Sequence, residues 1–198
     1  MASFMFDEYI KSVGHNTTNI PVPITETSGV GFCLIVSGET ELKKTDSFGA
    51  VPDSEGNTND TITERIAIDE TDGAKAIIPL NTSETHIHFK DIPTEYDDEV
   101  DITTNGYTMI KAHSAKFGKN PSVTTIKDVI GAVMFAYSGS DVPSTLTGNA
   151  IPVCYVDFNG TVNSSAGPFK VVFKNGTPDQ EDDPATVPDS YGTIFIMK

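Results

Sequence analysis

The sequence predicts a mainly β fold, an antiparallel β-sandwich or barrel with a short N-terminal helix and a long polar insertion. Three observations lead there. Asn159-Gly160 and Asn175-Gly176 bracket an alternating run in which Phe169, Val171 and Phe173 interleave with Lys170, Val172 and Lys174, and Asn105-Gly106 precedes another such run. Asn and Gly tolerate positive φ, so Asn-Gly between alternating segments signals a hairpin. Short apolar runs of strand length recur along the chain, divided by Gly, Asn, Asp and Pro, the pattern of an antiparallel sandwich or barrel. No period of 20–50 residues repeats, which removes solenoids and propellers.

The elements follow in order. Phe6, Tyr9, Ile10 and Val13 recur at spacings of three and four, predicting one short helix over 4–13 that Gly14 ends. Prolines near 20–23 force extended chain. Gly29 then leads into VGFCLIV, a continuous apolar run that reads as a strand covered on both faces and the centre of the core. Residues 37–63 are polar, charged and rich in Gly, Asp and Asn, with apolar residues too sparse to bury, so they read as a surface excursion. ERIAI, AKAIIPL and THIHFKDI return as strand-like pieces split by ETDG and NTSE, which suggests a small meander.

In SVTTIKDVIGAVMFAYSGS, a helical face of Val123, Ile126, Ile130, Val133, Met134 and Tyr137 competes with a strand. The β-branched and aromatic density and Gly131 in mid-run favour a strand over 130–137, leaving 122–130 open between helix and strand. IPVCYVDF, PFKVVFKN and GTIFIMK supply the last strands, the final one tying the terminus into a sheet. The whole reads as one β-rich domain over 1–198, with 37–90 an insertion within it.

Charge narrows the function classes. A net charge of −15 and a pI near 4.4 repel a phosphate backbone, whose binding needs clustered Lys and Arg. Arg65 is the one arginine and tryptophan is absent, so bidentate phosphate clamps and the usual interface anchors are scarce. The start MASFMFDEYIK has neither the basic n-region nor the apolar stretch of a signal peptide, and no window approaches a membrane span. The expectation is a chain made in a cytoplasm, with no nucleic-acid or membrane partner. On that reading the Asn-x-Ser/Thr triplets at Asn16, Asn59, Asn81, Asn159, Asn163 and Asn175 are a by-product of composition.

Candidate chemistry is sparse. Cys33 and Cys154 sit in apolar runs, where a thiol behaves as a small buried hydrophobe. His86 and His88 share one face of a strand, two of the ligands a divalent metal would need. His15 and His113 cannot be placed beside them, and a polar alternation around Ile87 and Phe89 is the plainer account. Asp53, Glu55, Asn57, Asn59 and Glu64 stand at positions 1, 3, 5, 7 and 12 of a calcium-type loop, but Thr58 occupies the position that needs Gly. A solvated polar loop is the plainer account, with weak calcium binding of the extracellular type as the alternative. The acids of Glu95–Asp101 and Glu181–Asp183 read as solvated runs. There is no Gly-x-Ser-x-Gly elbow or phosphate-cradling glycine loop, and with 28 acids some carboxylate pair can always be imagined. No catalytic residue and no cofactor is assigned.

Four stretches carry a resemblance. FMFDEYIKSVGHN holds Phe6, Asp7, Gly14, His15 and Asn16; TEYDDEVDITTNGYT holds Thr94, Glu95, Asn105, Gly106, Tyr107 and Thr108. DVIGAVMFAYSGS contributes Ile130, Gly131 and Tyr137, and VDFNGTVNSSAGPFKVVF closes the series. In content and order they resemble a family of small structural proteins encoded among the virion genes of tailed bacteriophages. The 37–90 region has no counterpart in that pattern, and the tryptophans of many relatives' Gly-Trp turn are missing.

The resemblance implies a β-rich virion component, often a head decoration or cement protein, whose partners are the major capsid protein and neighbouring copies of itself in a homo-oligomer or lattice. Tail, connector or fibre proteins belong to the same class. A virion-surface carbohydrate-binding module, stacking sugars on Tyr96, Tyr107 and Phe158, is a third reading from a different class.

Overall fold

The computed structural model describes residues 2–15, 29–38, 41–49, 61–79, 87–91, 108–112, 115–117, 124–138, 142–165, 167, 169–171 and 192–197. The fold is mainly β. Its contacts divide the chain into two compact units, Met1–Pro79 with Lys116–Phe169, and Leu80–Ala115 with Lys170–Lys198.

The first unit is built on a five-stranded sheet. Its strands are β1 (Phe4–Met5), β2 (Gly29–Val36), β3 (Ile77–Pro79), β7 (Thr125–Tyr137) and β8 (Ala150–Ser165), in the order β1-β8-β7-β2-β3, every pair antiparallel. The second unit contains a three-stranded antiparallel sheet, with β5 (Thr108–Ala112) between β10 (Gly192–Met197) and β4 (Ile87–Asp91). A separate two-stranded ladder pairs β6 (Ala115–Phe117) with β9 (Phe169–Val171). The pieces expected to form a meander therefore part company: β3 joins β2, whereas β4 joins β5.

The two apolar runs occupy the middle of the larger sheet. In β2, Cys33 and Ile35 face one side and Phe32 and Leu34 the other, and all are sealed from solvent; in β7, Val133 and Phe135 alternate in the same way with Ala132 and Met134. Burial on both faces is what a run without polar alternation requires. It also decides the open helix-or-strand segment, because β7 is a strand from Thr125 onward. Thirteen residues of β-branched and aromatic side chains gain more from two packed sheet faces than from one helical stripe.

One face of the sheet carries the main core. Cys33, Ile35, Val133, Phe135, Tyr137 and Tyr155 lie beneath Phe6, Leu42, Phe48, Ile62, Ile66 and Leu146. Leu42, Phe48 and Ile62 correct the reading of 37–63 as a surface excursion, since all three are core residues. Hydrogen bonds weave their segments in. The Asp7 N–H donates to Lys44 O (2.9 Å) and the Ile62 N–H to Ser47 O (3.0 Å). The Phe48 carbonyl accepts from two hydroxyls, Thr63 Oγ1 at 2.6 Å and Thr147 Oγ1 at 2.8 Å. ERIAI likewise opens as a 3-10 turn, Ile62–Arg65, before Ile66 bridges to Ile35.

Helix α1 runs over Asp7–His15, with Asp7 and Glu8 in its first turn, where they oppose the positive end of the helix dipole. Phe6 and Tyr9 are buried as the spacing predicts, but Phe6 precedes the helix, Ile10 is exposed, and Gly14 falls inside rather than after it.

Asn159-Gly160 also behaves differently from expectation. It is not a hairpin turn but lies within β8, where the register slips from Gly131↔Asp157 to Val129↔Val162. Asn159 has φ 55° and its N–H donates to Asp157 Oδ1 at 3.0 Å. A residue pair that accepts unusual φ serves a bulge as well as a turn. On the facing strand Asp128, at φ 57°, donates its N–H to Asn163 Oδ1 at 2.6 Å, so the irregularity is held from both sides.

Three glycines in β2 and β7 lie under aromatic rings. Tyr137 covers Gly29, Phe135 covers Gly31, and Tyr155 reaches over Gly131 to donate its hydroxyl proton to Ile130 O at 3.3 Å. An added Cβ at any of the three would enter the covering ring. The absent side chains thus make room for the rings, and the pairs Gly29↔Tyr137 and Gly31↔Phe135 sit directly opposite in the β2–β7 ladder.

Candidate functional site

The residues expected to offer chemistry are not gathered in one place. Asp53, Glu55, Asn57, Asn59 and His86 lie outside the described residues, as do Tyr96 and Tyr107 and the acidic runs of Glu95–Asp101 and Glu181–Asp183. His88 occupies a register position in β4 opposite Lys111. Glu64 is placed, and it has local work: its carboxylate accepts the Thr61 N–H at 3.0 Å, closing the start of the 3-10 turn. Among the described residues, no group of three His, Cys, Asp or Glu side chains comes together in a metal-binding arrangement. No described helix is long and apolar enough to cross a membrane.

Phe158, the one placed member of the sugar-stacking set, is half-buried against Phe169 in a stacked pair with centroids 6.3 Å apart. Phe117 meets Phe169 edge-on at 6.5 Å. Phe158 thus belongs to an aromatic cluster with Phe169 and Phe117.

Both cysteines are sealed in the sheet. The Cys33 thiol donates weakly to Val133 O at 3.7 Å; burial pushes it far above its ordinary range and pushes Cys154 up to about 12. A thiol must ionise to attack. At neutral pH these two are packing atoms.

Sequence reading passed over Asp69, the most densely hydrogen-bonded carboxylate described. It is 4% exposed and its Oδ1 accepts the N–H of Thr71 (3.0 Å) and of Thr125 (3.0 Å). Burial would raise its pKa, but those two N–H groups and the hydroxyls of Thr71 and Thr124 outweigh it and hold the carboxyl below its ordinary value. The Glu70 N–H donates to Thr125 O (2.8 Å) and the Gly73 N–H to Asp69 O (2.8 Å), so one side chain fixes the Asp69–Gly73 turn to the start of β7. The exposed pair Lys127–Glu70 at 2.5 Å lies beside it and adds little. An Asp-x-Thr-Asp-Gly turn is the signal that sequence offered.

The lowered pKa sets an acid dependence. Asp69 stabilises the fold fully above the ordinary carboxylate range, and its contribution falls away below about pH 4, toward its lower folded value. Asp69→Asn should therefore cost about 2–3 kcal/mol at pH 7, the scale for bonds to a buried charged acceptor. The gap to the wild-type chain should narrow below pH 4. Urea titrations from pH 7 to pH 3 measure it, and a constant gap throughout would rule out this role for Asp69.

Arg65 is the other feature that sequence reading undervalued. As the one arginine it signals by its rarity that phosphate clamps are scarce, yet the structure buries it to 3% exposure at the end of the 3-10 turn. Its Nε and Nη1 are sealed from solvent and make no hydrogen bond among the described residues.

The outer strands are the remaining candidates for contact. Both edges of the five-stranded sheet are short, three residues in β3 and two in β1. β1 pairs with Cys154 and Tyr155, and Ser3 Oγ accepts the Asp157 N–H at 3.0 Å, so among the described residues it is the β8 backbone beyond Asn159 that has no strand or side-chain partner on that side. Comparisons of the chain with protein-family models, with curated proteins and with solved structures return no match.

Proposed function

We propose that this chain is a structural protein of a tailed-bacteriophage virion, bound to the outside of the head lattice as a decoration or cement protein. The observation that carries the reading is the order of the four stretches running from Phe6-Asp7 to Phe173. Three of them supply framework residues. Phe6 is in the core and its N–H donates to Val153 O (3.0 Å); Ile130, Gly131 and Tyr137 lie in β7, and the last stretch continues through β8 into β9. Among the placed side chains with intrinsic reactivity, Cys33 and Cys154 are spent on packing, Glu64 on capping and Asp69 on tethering, as suits a building part.

On this reading the partners are the major capsid protein and neighbouring copies of the chain. The Asp157 N–H is taken by Ser3 Oγ (3.0 Å) and the Asn159 N–H by Asp157 Oδ1, so the β8 edge beyond Asn159 is where a neighbour's strand would add, since an edge without a partner strand presents main-chain donors and acceptors to any extended segment. The −15 charge keeps the bound shell from collecting nucleic acid.

Co-sedimentation of the purified chain with heads assembled from the major capsid protein of the same virion tests the reading. Saturable binding at a fixed ratio to capsid subunits is the expected result. Failure to bind both expanded and unexpanded heads would refute it. Assembly instead into a closed ring or trimer would move the chain to the tail, connector or fibre.

A further inference from the structure

We propose that Asn159 is a site of self-modification, where attack by the Gly160 main-chain nitrogen deamidates the side chain and leaves an aspartyl or isoaspartyl residue in β8. This goes beyond a lattice role and does not depend on it. Asn159 and Gly160 are both exposed. The register sets residues 158–161 of β8 against the single Ile130 of β7, between the pairs Gly131↔Asp157 and Val129↔Val162, so the regular ladder does not hold them.

Asn149, Asn159 and Asn163 are the asparagines among the described residues, and the other two are tied down. Asn149 donates its carboxamide to Thr145 O (3.0 Å) and Thr147 O (3.3 Å), and Asn163 Oδ1 accepts the Asp128 N–H at 2.6 Å. Residues with side chains follow them, Ala150 and Ser164. Asn159 is tied only through its main-chain N–H, which donates to Asp157 Oδ1; its carboxamide has no hydrogen-bond partner among the described residues. Gly160 brings no Cβ into the path of attack, and no atom beyond its chain neighbours lies within 4 Å of where one would stand.

The reaction is a hydrolysis that the chain performs on itself. A nucleophile one residue away needs only approach and alignment. The Gly160 nitrogen gives up its proton and bonds to Asn159 Cγ; the Cγ–Nδ2 bond breaks, and Nδ2 leaves as ammonia with that proton. Water then opens the cyclic imide. Opening at Cγ leaves an aspartyl residue, and opening at the main-chain carbonyl routes the chain through Cγ as an isoaspartyl residue. No oxidant or reductant takes part. Either product adds a negative charge beside Asp157, at the start of the open β8 edge; an effect on docking there rests on the lattice reading, whereas the reaction does not.

Long incubation of the full chain in mildly alkaline buffer, folded and in parallel unfolded in guanidinium chloride, tests the site. Mass spectrometry of proteolytic peptides reads the exchange of an amide NH2 for OH, and separate elution distinguishes the isoaspartyl form. Asn159 should convert in the folded chain at a rate within about tenfold of the unfolded one, while Asn149 and Asn163 stay intact in the folded chain. Gly160→Ala should slow conversion of Asn159 by about tenfold or more in the unfolded chain, where the outcome does not depend on folding of the variant. Protection of Asn159 by folding of more than about tenfold, conversion of Asn163 ahead of it, or an unchanged rate in Gly160→Ala would overturn the proposal.

Discussion

Phe135→Ala should remove about 3–5 kcal/mol of stability, the range for deleting a buried aromatic ring. Phe135 is fully buried in β7, packs edge-on against Phe48 with centroids 5.6 Å apart, and tilts against Tyr137 at 5.9 Å. Its loss would empty the space between the sheet and the 41–49 segment, and would also uncover the Gly31 backbone. Urea denaturation measures the change through the midpoint at constant slope.

A double substitution separates the two effects. Gly31→Ala alone drives a methyl into the Phe135 ring and to 2.9 Å from Ile78 O. With Phe135 already truncated the ring is gone, so Gly31→Ala should cost clearly less than in the wild-type chain. Additive costs would mean that the ring and the glycine do not act as a pair.

Gly131→Ala carries the second large effect, about 3 kcal/mol, at the upper end for overpacking a core. The new Cβ would meet Val156 O and stand 2.5 Å from the Tyr155 hydroxyl. The main-chain carbonyl cannot swing aside as a ring can, so Tyr155→Phe should not rescue the variant. Gly29→Ala is the control, since the three atoms nearest its Cβ all belong to the Tyr137 ring, and a small ring movement should limit its cost to about 1 kcal/mol. The ordering Gly131 above Gly29 is read from chemical denaturation, and its reversal would refute the account of why these glycines are there.

The same glycines show how far the sequence could be read. Gly131 argued against a helix in 122–137, correctly, but the reason it is glycine lies in Tyr155, on another strand. The strands β2 and β7 were legible because an unbroken apolar run leaves a two-faced strand as its cheapest burial. Leu42, Phe48 and Ile62 were not, since isolated apolar residues among polar ones have no period, and only the folded chain brings them over the sheet. Asn159-Gly160 signalled positive φ faithfully and misled only about its use, a bulge in place of a turn.

For the candidate site the balance is similar. Composition pointed away from nucleic acid but treated Arg65 as evidence of scarcity, because burial of a single charge leaves no local pattern. Asp69 was hidden for a related reason, its partners Thr124 and Thr125 being more than fifty positions away along the chain. Both are long-range facts.

Cryo-electron microscopy of the virion that carries this chain tests the central proposal most directly. The account predicts density for the five-stranded unit repeated over the outer surface of the head lattice, in fixed register with the capsid subunits, with the β8 edge beyond Asn159 against a neighbour. Density confined to the tail axis or its fibres, or a particle lacking the chain altogether, would contradict it.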